Sequence, residues 1–197
     1  MGMAGKSIIL KSELDKKKIL LLYDYFDPGY LAGGPTISCA NLVRNLGESW
    51  DFYILTKNQD LDGSLLDVKA DIWQSYGTSA RVMYADKCWS ASGVLKAIRA
   101  FNPDFVYING IYSSVAVLVP LILARLGLLK GKVVIAPRGM LQSGALSVKP
   151  NKKRAYLFLF RMLLSVRCCW HAITLLEAKE LKAVIPAIPE TQVFLAG

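Results

Sequence analysis

A single histidine and four cysteines are all the soft metal-binding chemistry in this sequence. The cysteines, Cys39, Cys88, Cys168 and Cys169, form neither a CxxC pair nor a regular ladder. That argues against a structural zinc site and against a disulfide-stapled scaffold. Met1 to Lys18 holds no long apolar core followed by a small-residue cleavage site, since Ile8 to Leu10 is too short. Scattered cysteines without such a leader point to a reducing cytoplasm. Long apolar runs are missing too. The most apolar stretch, Val115 to Leu129, is interrupted by Pro120 and Arg125 and falls short of the roughly 20 residues of a spanning helix. It reads as a buried helix packed on a sheet. Neither the GxGxxG of a dinucleotide fingerprint nor a Walker lysine occurs, which disfavours an oxidoreductase and a P-loop enzyme.

What is present suits one large α/β domain. Hydrophobic residues make up 53% of the 197 and charged residues only 20%, a balance that argues against disorder and allows a substantial core. The net charge of +9 is local. Lys130, Lys132, Arg138, Lys149, Lys152, Lys153, Arg154, Arg161 and Arg167 fall in a segment without a single acidic residue, so the remainder of the chain nets to zero. Such a field suits phosphorylated ligands, an anionic membrane surface or nucleic acid.

Apolar periodicity places a fully buried strand at Lys16 to Tyr23, then a turn-rich stretch from Asp24 to Gly34. A helix opens at Pro35 and ends near Gly47, with proline at its start and glycine after its end. Further strands are expected at 51–56, 81–84, 104–108, 132–136, 170–174 and 192–196. Helices are expected at 94–101, 113–126, 152–166 and 175–184, and residues 57–80 as a long excursion with little regular structure. Strand and helix alternate throughout. The fold class is therefore α/β, a Rossmann-like and mostly parallel sheet with helices on both faces. Right-handed crossovers put the loops after the strands on one edge, where ligands bind such sheets. Residues 24–34, 109–114 and 137–150 are the loops of interest, and residues 1–16 read as a flexible lead.

Each loop carries a candidate. Gly33-Gly34 at a helix start would let the backbone approach a bulky ligand and offer free amides to an anion, although a plain turn and cap would look the same. Asn109-Gly110 follows a buried strand with a side-chain amide that both donates and accepts. Ser113 and Ser114 suit capping. Arg138-Gly139 sits just beyond a strand, where a guanidinium fork can meet phosphate or carboxylate. His171 reads as packed, and Thr174 with Glu177 as a capping box.

Taken in order, these loops resemble glycosyltransferase family 4. The likeness rests on Gly33-Gly34 at the first helix, a Pro103-Asp104-x-Val106 strand ending in Asn109-Gly110, the Pro137-Arg138-Gly139-Met140 loop, and His171-Ala172-x-Thr174-x-x-Glu177. It covers residues 17–197 and implies the N-terminal, acceptor-side domain of a GT-B glycosyltransferase. By that resemblance Gly33 and Gly34 approach the diphosphate of a nucleotide-sugar donor across an interdomain cleft. Asn109 stands where family members commonly carry a histidine near the transferred sugar. Gly110, Arg138 and Gly139 border the acceptor or donor cleft. The implied chemistry is retaining, metal-independent sugar transfer to a glycan or lipid-linked acceptor, with the nucleotide sugar as substrate and no cofactor. Family members continue into a second domain with a Glu-x7-Glu element. This chain stops near the expected linker, so the fragment is expected not to turn over alone.

Lys152, Lys153 and Arg154 lead a strongly apolar helix in which Arg154 and Arg161 lie seven residues apart on one stripe. That helix could cover the sheet and expose only its arginines, or lie on an anionic bilayer. Nucleic acid is not expected as a partner, because the aromatics do not alternate with the cations. The competing functional reading is a non-catalytic module that binds phosphorylated or anionic ligands through Arg138 and the basic segment.

Overall fold

The computed structural model describes residues 16–147, 150–165 and 168–195. Eight strands form one sheet in the order β3-β4-β2-β1-β5-β6-β7-β8. They are β1 (Lys17–Leu22), β2 (Trp50–Lys57), β3 (Gln74–Tyr76), β4 (Ala80–Ala85), β5 (Phe105–Asn109), β6 (Lys132–Ala136), β7 (Cys168–Ala172) and β8 (Val193–Leu195). All neighbours pair in parallel except β3 with β4. The helices are α1 (Gly34–Leu46), α2 (Ala91–Phe101), α3 (Val119–Arg125, entered through a π-helical turn over Ser114–Leu118), α4 (Ser143–Ser147), α5 (Pro150–Leu163) and α6 (Leu175–Val184).

The strand order explains which face each helix covers. From β1 the chain moves one way, to β2 and β4; from β5 it moves the other way, to β6, β7 and β8. With right-handed crossovers, those two directions send helices to opposite faces. Accordingly α1 lays Cys39 and Val43 on a core with Leu21, Phe52, Ile54 and Tyr107. The other face receives Val94 and Ala97 of α2, Leu121 of α3, Leu157 and Phe160 of α5, and Leu181 of α6, against Leu20, Leu22, Ile108, Ile135 and Trp170. Leu20, Leu21 and Leu22 are fully buried in succession, as a central strand covered on both faces requires. Each contributes about 1.5–3 kcal/mol relative to an exposed leucine. The direction reverses between β1 and β5, and that reversal opens a crevice at their carboxyl ends.

Several boundaries differ from the sequence reading, each for a local reason. Helix α2 starts three residues earlier than 94 because Ser90 Oγ accepts the Gly93 N–H at 3.2 Å. Strand β7 ends at Ala172, since Thr174 leaves the sheet to cap α6. The expected helix at 152–166 begins at Pro150, and the short α4 precedes it. Residues 57–80 are more ordered than expected. They include β3, and Asp71 accepts the N–H groups of Asp86, Lys87 and Cys88 at 3.0–3.2 Å. Main-chain and side-chain hydrogen bonds replace apolar periodicity there, which is why no pattern announced them. The expected lead over 1–15, Lys149, the helix end at Val166, Arg167 and the strand end at Ala196 lie outside the described residues.

Candidate functional site

The crevice is walled on one side by the loop after β1. Gly33 adopts φ 67° and ψ −135°, a conformation that demands glycine, and a Cβ at Gly33 or Gly34 would meet nothing within 4 Å. The space in front of the backbone is open. Gly33 C=O accepts from Thr36 and Ile37, at 3.1 and 3.3 Å, and no side chain caps the start of α1. An uncapped helix start is suited to an anion.

Two carboxylates hold this loop. Buried Asp60 accepts the N–H groups of Tyr30, Leu31 and Leu61 at 2.8, 3.1 and 2.7 Å, tying residues 24–33 to the excursion after β2. Asp24 accepts from Lys57 Nζ at 2.8 Å and from Ser113 Oγ at 2.5 Å, joining the ends of β1, β2 and β5. Ser113 also caps the π-helical turn through the Ala116 N–H at 3.3 Å, as its position suggested. Burial would raise the Asp60 carboxyl, but its three backbone donors prevail and hold it below the usual carboxylate range. The folded state thus prefers the charged form. Its contribution is present above the ordinary carboxyl pKa of about 3.9 and is lost as pH falls through the lower folded value. The stability difference between the protein and an Asp60→Asn variant should therefore be largest at neutral pH and shrink in acid. Urea unfolding at several pH values measures it, and a difference that grows in acid would refute the assignment.

The opposite wall is a chain of hydrogen bonds. Arg138 donates from Nε to Asn109 Oδ1 at 2.7 Å and from Nη2 to the Tyr107 hydroxyl at 3.0 Å. The Tyr107 hydroxyl lies 2.8 Å from His171 Nδ1. The hydroxyl either donates to Nδ1 or accepts from it, according to the histidine tautomer. Asn109 closes the chain by donating from Nδ2 to Pro35 C=O at 3.4 Å, at the start of α1. Both ends of the Asn109 amide are thus engaged internally, and the residue links the glycine loop to the arginine. Arg138 uses two of its five N–H donors, leaving three without a partner among the described residues. They are available to an anion in the crevice.

Arg138 and Gly139 are consecutive left-handed residues, φ 54° and 72°. An arginine does not choose that region unaided. Glu177 supplies the constraint: its buried carboxylate accepts the Gly139 N–H at 2.7 Å and the Ile173 N–H at 2.8 Å. Thr174 Oγ1 accepts the Glu177 N–H at 3.1 Å, so the threonine half of the expected capping box is present. The glutamate half is redirected to the site loop. Gly110 also matters sterically, since with φ 87° a Cβ there would sit 2.8 Å from Met140 Cε.

Burial pushes the Tyr23 and Tyr107 hydroxyls up, so Tyr107 acts as a neutral link. Burial also raises the Cys39 thiol to about 12 despite the Arg138 charge nearby, which leaves it protonated and unsuited to nucleophilic work.

The structure therefore brings together Gly33, Gly34, Asn109, Gly110, Arg138 and Gly139. It does not gather the basic helix into the same place. Lys153 turns back to Ala145 C=O and lies 5.0 Å over the Tyr112 ring, while Arg161, at the other end of α5, bonds Val184 C=O at the end of α6. Lys152 and Arg154, on either side of Lys153, are exposed. A cavity of about 610 Å³ opens at the opposite edge of the sheet, between the ends of α3, α5 and α6. It is remote from this crevice. Sequence reading missed Tyr107, His171, Asp60 and the second bond of Glu177. The hint was available for two of them: a tyrosine two residues before Asn109 shares its face of β5, and a histidine near the end of β7 reaches the same edge.

No family model and no curated protein sequence matches the chain. Several solved structures resemble it, two of them as follows. Sucrose-phosphate synthase from Thermosynechococcus elongatus aligns with a TM-score of 0.64 and 14% identity over 91% of this chain and 47% of its own. A protein described as a UDP-N-acetylglucosamine 2-epimerase from Listeria monocytogenes aligns with a TM-score of 0.55 and 15% identity, over 92% and 45%. The chain spans about half the length of each of these proteins. At such identities the likeness concerns the fold alone, a Rossmann-like α/β domain with a mostly parallel sheet.

Proposed function

We propose that this chain is the acceptor-side, N-terminal domain of a glycosyltransferase that moves a sugar from a nucleotide donor to a glycan or lipid-linked acceptor. The observation that carries the reading is the convergence of the uncapped α1 start at Gly33-Gly34 with the free N–H groups of Arg138, across one crevice at the sheet's switch point. Both present positive potential to the same volume, as a diphosphate requires. Resemblance to sugar-nucleotide enzymes in fold supports the same class.

In this reading the reaction is retaining and metal-independent. Negative charge grows on the diphosphate as the glycosidic bond to the sugar breaks. The Gly34 N–H, the dipole of α1 and Arg138 would stabilise that charge without reorganising, because Asn109, Tyr107 and Glu177 already hold the arginine loop. Asn109 and Gly110 would border the sugar and acceptor. A second, donor-binding domain would close the cleft, with work done in the cytoplasm or at the inner face of a membrane.

Titration with UDP-glucose followed by amide NMR tests the proposal. The expected result is selective movement of the Gly33, Gly34 and Gly139 resonances, stronger than with uridine. Equal response to inorganic pyrophosphate and to sugar nucleotides would favour the plain anion-binding module instead. No response at these three amides would sink the site assignment.

A further inference from the structure

Helices α2, α3 and α5 pack side by side on one face of the sheet. Their outward residues share one charge sign. Helix α2 carries no carboxylate, and none occurs from Phe105 to Leu176. Lys96, Arg99, Arg125, Lys152, Arg154 and Arg161 are exposed on this layer. A solvated helix face ordinarily mixes both signs. Here exposed cations are interspersed with exposed apolar side chains instead.

Helix α5 is the clearest case. It buries Leu157 and Phe160 in the core yet leaves Phe158 67% and Met162 60% exposed, with Leu159 also in solvent. Ile122 of the neighbouring α3, and Leu126 and Leu128 just after it, are exposed as well. A helix apolar on both sides needs a second apolar environment. Of the two alternatives the sequence left open, neither holds unaltered: α5 covers the sheet, yet it exposes apolar side chains beside its arginines.

We propose that the outer surface of the α2–α3–α5 layer docks on an anionic lipid bilayer. Phe158, Met162 and Leu126 would enter the acyl boundary while Arg125, Arg154 and their neighbours meet lipid phosphates. Charge complementarity selects this occupant, because cations without carboxylates among them, interspersed with exposed apolar side chains, match an anionic interface. Nucleic acid fits less well, since Phe158 is the one aromatic among the side chains named on this face. No helix among the described residues is long and apolar enough to cross a membrane, so the contact is lateral. Helix α5 starts near the site loops, at Lys153 and Tyr112, and runs about 21 Å away from them. The crevice would then open beside the membrane, within reach of a lipid-linked acceptor. That last consequence rests on the proposed sugar transfer; the docking itself does not.

The test is co-sedimentation of the chain with vesicles of phosphatidylcholine alone or mixed with phosphatidylglycerol, without nucleotide. Binding is expected to the anionic vesicles and to weaken with salt. Arg125→Ala with Arg154→Ala should reduce it about 25-fold, roughly fivefold per cation. Phe158→Ser with Met162→Ser should reduce it by at least as much, with circular dichroism and melting unchanged. Equal binding to both vesicle types, or full binding by both double variants, would overturn the proposal. So would binding to RNA without binding to vesicles, or a self-association that the apolar double variant abolishes while vesicles are ignored. Vesicle binding is read without any sugar donor, so its failure leaves the transferase reading standing, and the converse holds too.

Discussion

Replacing Glu177 with alanine is expected to lower the unfolding free energy by about 2–4 kcal/mol, because two N–H groups lose their acceptor at once. For a domain of this size that corresponds to a melting temperature lower by roughly 5–15 °C. The damage should not be uniform. Gly139 and Ile173 donate to the two oxygens of one buried carboxylate, so the loop after β6 and the end of β7 come loose together. Hydrogen exchange should show amides of residues 137–142 opening at lower cost than those of β1. Glutamine would keep one acceptor oxygen and lose the other bond, and should cost about half as much. If alanine at 177 melts like the parent protein, the carboxylate is not what holds Arg138 in its left-handed conformation.

Substituting Arg138 separates binding from folding. Alanine there would remove the three free N–H groups, and the affinity for a sugar nucleotide or pyrophosphate is expected to fall about 10- to 100-fold, the size of a lost charge-assisted pair. It would also deprive buried Asn109 Oδ1 of its donor, at about 1–3 kcal/mol of stability. Lysine tells the two effects apart. It restores the charge but lacks the rigid fork whose two separate nitrogens meet Asn109 Oδ1 and the Tyr107 hydroxyl. Calorimetric titration should therefore place lysine between arginine and alanine in affinity, with stability close to that of alanine. Equal affinity for all three proteins would reduce Arg138 to a structural tie.

How much of this was legible beforehand differs from residue to residue. Gly33, Gly34, Asn109 and Arg138 stood out because each follows an apolar strand, and parallel topology then carries all of them to one edge. Their mutual roles were not legible. Asn109 looked free to meet a ligand, whereas its amide links Pro35 to Arg138. His171 looked packed, and it proves to share the Tyr107 hydroxyl with the arginine. Glu177 looked like a cap and is shared with a loop thirty-eight residues away in sequence. Asp60 lay in a stretch with no periodicity at all, so nothing local marked it as an anchor.

The alternation of the main strands and helices, the buried Leu20–Leu22 core of β1 and the edge carrying the candidate loops followed from the sequence by itself, whereas β3, α4 and the exposure of Lys17 did not. Apolar periodicity is a local property, and crossover handedness is a general constraint. Only the tertiary structure decided which polar atoms meet. A hydrogen bond depends on separations of about 3 Å between residues far apart in the chain, and no pattern of residue types encodes such distances. The same holds for α5. Its composition allowed either a core-covering helix or a surface one, and packing decided that it buries Leu157 and Phe160 while Phe158 and Met162 face outward.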